Sequence, residues 1–157
     1  MEFAAGFSKS VSQERRERWS VAVKQEESEY IKLRMARARD TLSEAELLLN
    51  SGYLTGSVNR IYYAFFYAVN ALLFSEGLSS SKHSGVVSFF DRYWIKTGRL
   101  PLEMGKLYRQ LFELRQEGDY RDTARFEQNE VRNLQSQAHT FIEQIADWLR
   151  SDAGVDV

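Results

Sequence analysis

Cysteine is absent from this chain of 157 residues, and proline occurs once. Without cysteine the chain forms neither disulfide bonds nor thiolate metal sites. The only histidines, His83 and His139, lie far apart in sequence, which argues against a histidine-based zinc site, and we expect neither a metal nor a cofactor. No uninterrupted apolar run reaches the roughly 18 residues that a membrane helix needs, and no segment is typical of a signal peptide. We therefore expect a soluble cytoplasmic protein.

The formal net charge is −1, so no global electrostatic field draws the chain toward nucleic acid, although a local basic surface remains compatible with that value. Charged residues make up 27% and apolar residues 43%, as is usual for a folded protein, and the length suits one domain. Aromatic residues make up 13% and are concentrated between residues 53 and 126. This concentration is typical of a tight core or an oligomer interface.

The stretch from Asn59 to Phe74 is apolar on nearly every side, apart from Arg60 and two asparagines. A helix that is apolar all round is buried on several faces. We therefore predict that this stretch is the central helix of a bundle, and that its few polar groups are candidates for a functional site.

Helical spacing of apolar residues predicts five helices, over about 28–50, 54–76, 82–97, 101–117 and 127–150. Glycines mark four helix ends, namely Gly52, Gly77, Gly98 and Gly118. The first of these helices has an apolar stripe that includes Tyr30, Leu33, Ala38, Leu42, Ala45 and Leu49. No segment alternates like a strand. The prediction is an all-α, antiparallel, up-and-down bundle of about five helices.

The predicted bundle occupies residues 28–151. Residues 1–27 are interpreted as an N-terminal arm in which residues 14–23 could form a short helix. This arm is either exposed, as poorly held termini often are, or docked on a neighbouring subunit. Residues 152–157 are expected to fray.

The segment from Arg115 to Arg121 carries the densest group of polar candidates. It brings Arg115, Asp119, Tyr120 and Arg121 into one neighbourhood at a helix end, where a guanidinium can bind phosphate in a two-pronged manner. The structural alternative is an Asp119–Arg115 ion pair with Tyr120 packed on the bundle.

A second group, Lys82 and His83, lies at the start of a predicted helix, where free backbone amides attract anions. Gly85 would let another chain or a ligand come near. The alternative is a capped helix whose histidine bonds to a neighbour.

A third group lies on the central helix and consists of Asn59, Arg60, Tyr62, Tyr63 and Asn70. Helical spacing places Arg60, Tyr63 and Tyr67 on one face. The alternative is that these tyrosines belong to the core and have satisfied hydroxyls.

Three segments together resemble small prokaryotic HEPN-domain proteins, and the resemblance covers about residues 28–150. They are SVNRIYYAFFYAVNALL, SKHSGVVSFF and LFELRQEGDYRD, followed by a final amphipathic helix. The resemblance implies a bundle of about four or five helices that pairs as a homodimer. Many members are metal-independent ribonucleases, and many are toxins encoded beside a nucleotidyltransferase antitoxin.

Active members carry an arginine followed after about four to six residues by a histidine. In these members the histidine acts as base or acid, the arginine holds the phosphate, and the product ends in a 2′,3′-cyclic phosphate. Here Arg115 matches the arginine, but Asp119 and Tyr120 stand where the histidine is expected. Tyrosine has an ordinary pKa of about 10 and is a poor base at neutral pH.

Two other histidine arrangements remain. Arg132 and His139 satisfy the spacing literally, but they lie in the final helix, away from the motif's usual place, and we interpret them as a chance match. His83 is the remaining histidine that could complete a site with Arg115 across space.

The resulting prediction is a HEPN-like nucleotide- or RNA-binding and interaction domain, paired with a nucleotidyltransferase in a toxin–antitoxin or defence system. One alternative is an active metal-independent endoribonuclease, and another is a structural dimerisation module without a ligand. The candidate catalytic residues are Arg115, Tyr120 and His83. The candidate binding residues are Arg60, Tyr63, Lys82, Asp119 and Arg121.

Overall fold

The computed structural model describes residues 3–120 and 125–157, except for the side chains of residues 3–12, 16, 19, 20, 23 and 117–120. All regular elements in these ranges are helical. They are α1 (Phe3–Asn50), α2 (Leu54–Phe74), α3 (His83–Phe90) with a π-helical continuation (Asp91–Ile95), α4 (Leu102–Tyr120) and α5 (Gln128–Ser151). None of the described helices is both long enough and apolar enough to cross a membrane.

The central helix α2 packs against each of the other four α-helices. Its residues Ile61, Phe65 and Leu72 are fully buried, as expected for a helix that is apolar on several sides. The ring of Phe65 stacks on that of Phe141 from α5, with centroids 3.8 Å apart. The predicted central position of this stretch is confirmed.

Helix α1 runs antiparallel to α2. Along α1 and α2, Tyr30 contacts Phe74 at one end (4.2 Å between ring centroids), and Glu44 contacts Arg60 further along (3.5 Å). From Tyr30 to Glu44 along α1, the contacted residues of α2 go from Phe74 back to Arg60, as they do only when two helices run in opposite directions. Helix α5 joins α1 through the Gln135 side-chain amide, which donates to the Leu42 carbonyl (2.9 Å). The predicted all-α bundle of about five helices is confirmed.

Two of the predicted helix ends depend on left-handed glycine. Gly52 follows α1 with φ 82° and Gly77 follows α2 with φ 71°, a region that residues with a side chain seldom adopt. The prediction that Gly118 ends the fourth helix is wrong, because α4 continues to Tyr120. An interior glycine costs a helix only about 1 kcal/mol relative to alanine, so glycine alone does not force an end.

The N-terminal residues differ from the expected arm, because α1 is one helix of 48 residues that begins at Phe3. Neither proline nor glycine occurs between residues 7 and 51, so nothing in the sequence breaks it. The predicted stripe of the first helix was wrong at Leu33, which is 67% exposed, whereas Ile31 and Met35 are buried.

The C-terminal residues also differ from expectation. Val155 is only 7% exposed, and Val157 packs beside the core. The Val157 carbonyl accepts a hydrogen bond from Arg150 Nε (2.7 Å). Apolar burial therefore holds the segment that was expected to fray.

The π-helical segment after α3 has no counterpart in the sequence prediction. Its first residue, Asp91, pairs with Arg109 of α4 and approaches Gly105 so closely that a Cβ there would lie 2.8 Å from Asp91 Oδ1. Gly105 therefore lets α4 pack tightly against this segment.

Replacing Phe65 with alanine should lower the free energy of unfolding by about 3–5 kcal/mol, because it removes a fully buried ring and leaves a cavity. Urea denaturation monitored by circular dichroism measures the loss. Leu47→Ala is the matched control, since Leu47 is 69% exposed and its loss should change stability by no more than about 0.5 kcal/mol. Equal effects of the two substitutions would contradict a core centred on α2.

Candidate functional site

Side chains from α2, α3 and α4 meet near the middle of the central helix. Arg115 of α4 donates from Nη1 to His83 Nδ1 (3.0 Å) and from Nη2 to the Tyr63 hydroxyl (3.0 Å). The Tyr62 hydroxyl also contacts His83 Nδ1 (3.1 Å). We call these four residues, Arg115, His83, Tyr62 and Tyr63, the arginine–histidine cluster.

Aromatic rings surround the charged group and the imidazole. The Arg115 guanidinium carbon lies 4.8 Å from the Tyr62 ring centroid and 5.0 Å from that of Tyr63. The His83 ring stacks on Tyr62 (5.9 Å, 28° between planes) and lies 4.6 Å from Phe66. Arginine binds well to aromatic faces, so these rings hold the guanidinium in a defined position.

His83 is held in its neutral form. Burial lowers the pKa of its imidazole below the usual value, and the positive charge of Arg115 lowers it further. A guanidinium has donors only, so the Nδ1 atom that faces Arg115 carries the lone pair. The imidazole proton therefore resides on Nε2. The Nδ1 lone pair becomes available as a base only when Arg115 and the Tyr62 hydroxyl both turn toward other acceptors.

Tyr62 remains a protonated hydroxyl at neutral pH. Burial raises the pKa of Tyr62 to about 12, even though the charge of Arg115 and its hydrogen bond act in the opposite direction. The cluster thus offers a fixed positive charge, two hydroxyl groups and a neutral imidazole. This set of donors suits an anion such as a phosphate oxygen, and it does not suit a metal cation.

The structure brings three of the predicted site residues together, namely Arg115, His83 and Tyr63. Arg60 lies at the edge of the cluster, where its guanidinium carbon is 5.1 Å from the Tyr63 ring centroid and Nη1 is 3.5 Å from Glu44 Oε2. Lys82 precedes α3 with an exposed side chain.

The other members of the predicted acid–tyrosine segment lie outside the described side chains. Asp119 and Tyr120 fall within the bounds of α4, but their side chains are not described, and Arg121 lies outside the described residues. Their predicted roles stay predictions.

The structure bears on two further sequence interpretations. The space beside Gly85 is taken by Ser80 of the preceding loop, whose Oγ an added Cβ would overlap, so this glycine accommodates a neighbouring loop. Arg132 and His139 are both exposed on α5, whereas the cluster is built from α2, α3 and α4.

Tyr62 was in the third candidate group without an assigned role, and Phe66, whose ring lies 4.6 Å from that of His83, was not among the predicted site residues. Both lie on α2 within one turn of Tyr63, so they share its neighbourhood by helical spacing. The apolar sequence around them hid their contact with His83, because a buried tyrosine and a site tyrosine look alike in sequence.

Replacing Arg115 with glutamine should raise the pKa of His83, because the substitution removes the positive charge that opposes protonation. Burial still acts in the variant, so the pKa should stay below the ordinary value. Titration of the His83 ring signals by NMR measures the change, and Arg132→Gln, which removes an exposed charge from α5, is the control that should leave the His83 curve unaltered. An unchanged His83 curve in Arg115→Gln would show that the two side chains do not interact in solution.

Comparison with known proteins adds to this geometry. Residues 31–148 match the family model described as HEPN domain. A "UPF0332 protein" of Thermotoga maritima is 48% identical over 109 residues, which cover 69% of this chain and 83% of the relative. "Putative toxin MJ0142" of Methanocaldococcus jannaschii is 34% identical over 115 residues, covering 73% of this chain and 78% of the relative. "Putative toxin MJ0605" of the same organism is 30% identical over 108 residues, covering 69% and 80%.

The family match spans most of the chain and includes every helix of the arginine–histidine cluster, and the relatives align over more than two thirds of their own length. On this evidence the chain belongs to the HEPN domain family.

Proposed function

We propose that this protein is a toxin-like HEPN protein that binds RNA or a nucleotide, and that the arginine–histidine cluster receives a phosphate group. The observation that carries the proposal is the contact of the Arg115 guanidinium with the lone-pair side of a neutral imidazole. A phosphate oxygen offers Arg115 a charged acceptor in place of a neutral one. Hydrogen bonds between charged groups are stronger than those to neutral acceptors, so phosphate can displace the imidazole from Arg115.

The surroundings of Arg115 support this proposal. The tyrosine rings that flank the guanidinium limit its movement, which lowers the entropy lost when it binds a ligand. The hydroxyls of Tyr62 and Tyr63 add donors at the same place. A bidentate guanidinium with neighbouring hydroxyls is a common arrangement for recognising phosphate.

The relatives named as toxins support the toxin-like part of the proposal. The homodimer and the nucleotidyltransferase partner rest on the family resemblance and stay predictions. A nucleotidyltransferase reading frame beside the gene for this chain would support the pairing, and its copurification with the chain would test the pairing directly.

Endoribonuclease activity is the second candidate function, and the juxtaposition of His83 with Arg115 favours it. If phosphate draws Arg115 and the Tyr62 hydroxyl away from His83 Nδ1, this nitrogen can accept the proton of a ribose 2′-hydroxyl. The 2′-oxygen then attacks phosphorus, the bond from phosphorus to the 5′-oxygen breaks, and water protonates the departing oxygen. The products would be a 2′,3′-cyclic phosphate and a 5′-hydroxyl. Here a histidine from α3 would serve where active relatives use one that follows the arginine in sequence.

Arg115→Ala should weaken RNA binding by about 10- to 100-fold, because a hydrogen bond to a charged group contributes about 1.5–3 kcal/mol. Fluorescence anisotropy with labelled oligouridylate measures the change. Arg132→Ala is the control, since it removes the same charge from the exposed side of α5. Unchanged affinity in Arg115→Ala, or equal losses in both variants, would reject the cluster as the binding site.

If the protein cleaves RNA, the reaction should persist in the presence of a chelator and disappear in His83→Ala, while His139→Ala retains it. Removal of a general base typically costs about 10²- to 10⁴-fold in rate. Gel analysis of structured RNA, with a phosphatase test for the cyclic end, measures the products. Absence of cleavage at high protein concentration would leave phosphate binding as the function, and loss of cleavage only in His139→Ala would place the chemistry on α5.

A further inference from the structure

A continuous band of arginines and tyrosines leads away from the cluster along α1 and α2. Arg60 lies over the Tyr63 ring (5.1 Å), and Tyr63 neighbours Tyr67 (6.3 Å between ring centroids). The arginine–tyrosine band consists of Tyr30, Arg34, Arg37, Arg60, Tyr63 and Tyr67.

In the half of the band that lies farther from the arginine–histidine cluster, two arginines of α1 contact a tyrosine ring of α2. The Arg34 guanidinium carbon lies 5.0 Å from the Tyr30 ring centroid and 5.8 Å from that of Tyr67. The Arg37 guanidinium carbon lies 5.7 Å from the same Tyr67 ring. The tyrosines are half-buried and the Arg37 side chain is 50% exposed, so the band lies at the surface.

The band is a local concentration of positive charge in a chain whose formal net charge is −1. In the described part of the chain, the carboxylate that pairs with its arginines is that of Glu44, at 3.9 Å from Arg37 and 3.5 Å from Arg60. Both contacts are long and partly exposed, and such pairs contribute little. A guanidinium that lies over a ring uses its face for that contact, while its N–H donors lie in its plane.

We propose that the arginine–tyrosine band binds the single-stranded RNA segment next to the phosphate held by the arginine–histidine cluster. This inference rests on the proposed function and extends it to Arg34, Arg37 and Tyr67. Proteins that bind single strands combine a positively charged track for the backbone with aromatic rings on which bases stack. The band has both components, and it meets the cluster at Tyr63, whose hydroxyl accepts from Arg115 (3.0 Å).

A second copy of this chain is the other occupant considered for this surface, and the charge argues against it. In a twofold contact the same patch faces itself, which would bring arginines of one copy toward arginines of the other. Opposed like charges are unfavourable. RNA offers a phosphate for each arginine.

The test compares oligouridylates of about four and about twelve nucleotides, a range that single-strand sites span. The double variant Arg34→Ala/Arg37→Ala should bind the longer oligonucleotide roughly ten-fold more weakly and lower its salt dependence by about one in the log–log slope. The shorter oligonucleotide, held by the cluster, should bind as before. Tyr67→Leu, which keeps an apolar side chain, should also weaken only the longer one.

Arg39→Ala is the matched control. Arg39 follows Arg37 by two residues on α1, but it pairs with Glu143 of α5 (3.1 Å). Equal losses in Arg39→Ala and the double variant would show a nonspecific charge effect and overturn the band. A double variant that changes the sedimentation mass but not RNA affinity would make the surface a contact between copies. If Arg115→Ala weakens binding while the band variants do not, the band does not bind RNA and the proposed function stands. If the unaltered protein binds neither oligonucleotide, both fail.

Discussion

The contact between the Arg115 guanidinium and the His83 imidazole is the interaction on which the functional interpretation depends. It joins α4 to the first residue of α3 across two tyrosines of α2, with Nη1 3.0 Å from Nδ1. A hydrogen bond from a guanidinium to a neutral nitrogen is weaker than one to a charged oxygen, so an anionic ligand can replace the imidazole at Nη1. The contact adds to the burial that lowers the pKa of His83, and it fixes the tautomer of the imidazole.

The bundle provides this contact because its central helix is buried on several sides. Phe65 and its neighbours hold α2 against α5 and α4, and α2 in turn presents Tyr62 and Tyr63 at one place. The tight approach of the π-helical segment to α4 at Gly105 links α3 and α4 as well. Core packing thus positions the charged residues, while the stacked rings restrict them. The arginine–tyrosine band follows from the same packing, because α1 lies against α2 and brings Arg34 and Arg37 to the Tyr67 ring.

Much of the fold could be predicted from the sequence, because helical periodicity and glycine ends are local signals. The central helix and the helix ends at Gly52 and Gly77 depend on such signals. The extent of α1, the burial of Ile31 in place of Leu33, and the packing of Val155 depend on how distant elements meet, which periodicity does not specify.

The site was predictable in part for the same reason. Arg115 and His83 stood out as polar residues at helix ends, and they lie 32 positions apart, so only the tertiary structure shows their contact. Phe66 was hidden among core-like aromatics, and the contacts of Arg34 and Arg37 with the Tyr67 ring likewise appear only in the tertiary structure. A double-mutant cycle of Arg115→Ala and His83→Ala, measured on affinity for a short oligouridylate, tests the account most directly. The account predicts that the two losses are non-additive by about 0.5–3 kcal/mol, whereas additive losses to within about 0.5 kcal/mol would contradict it.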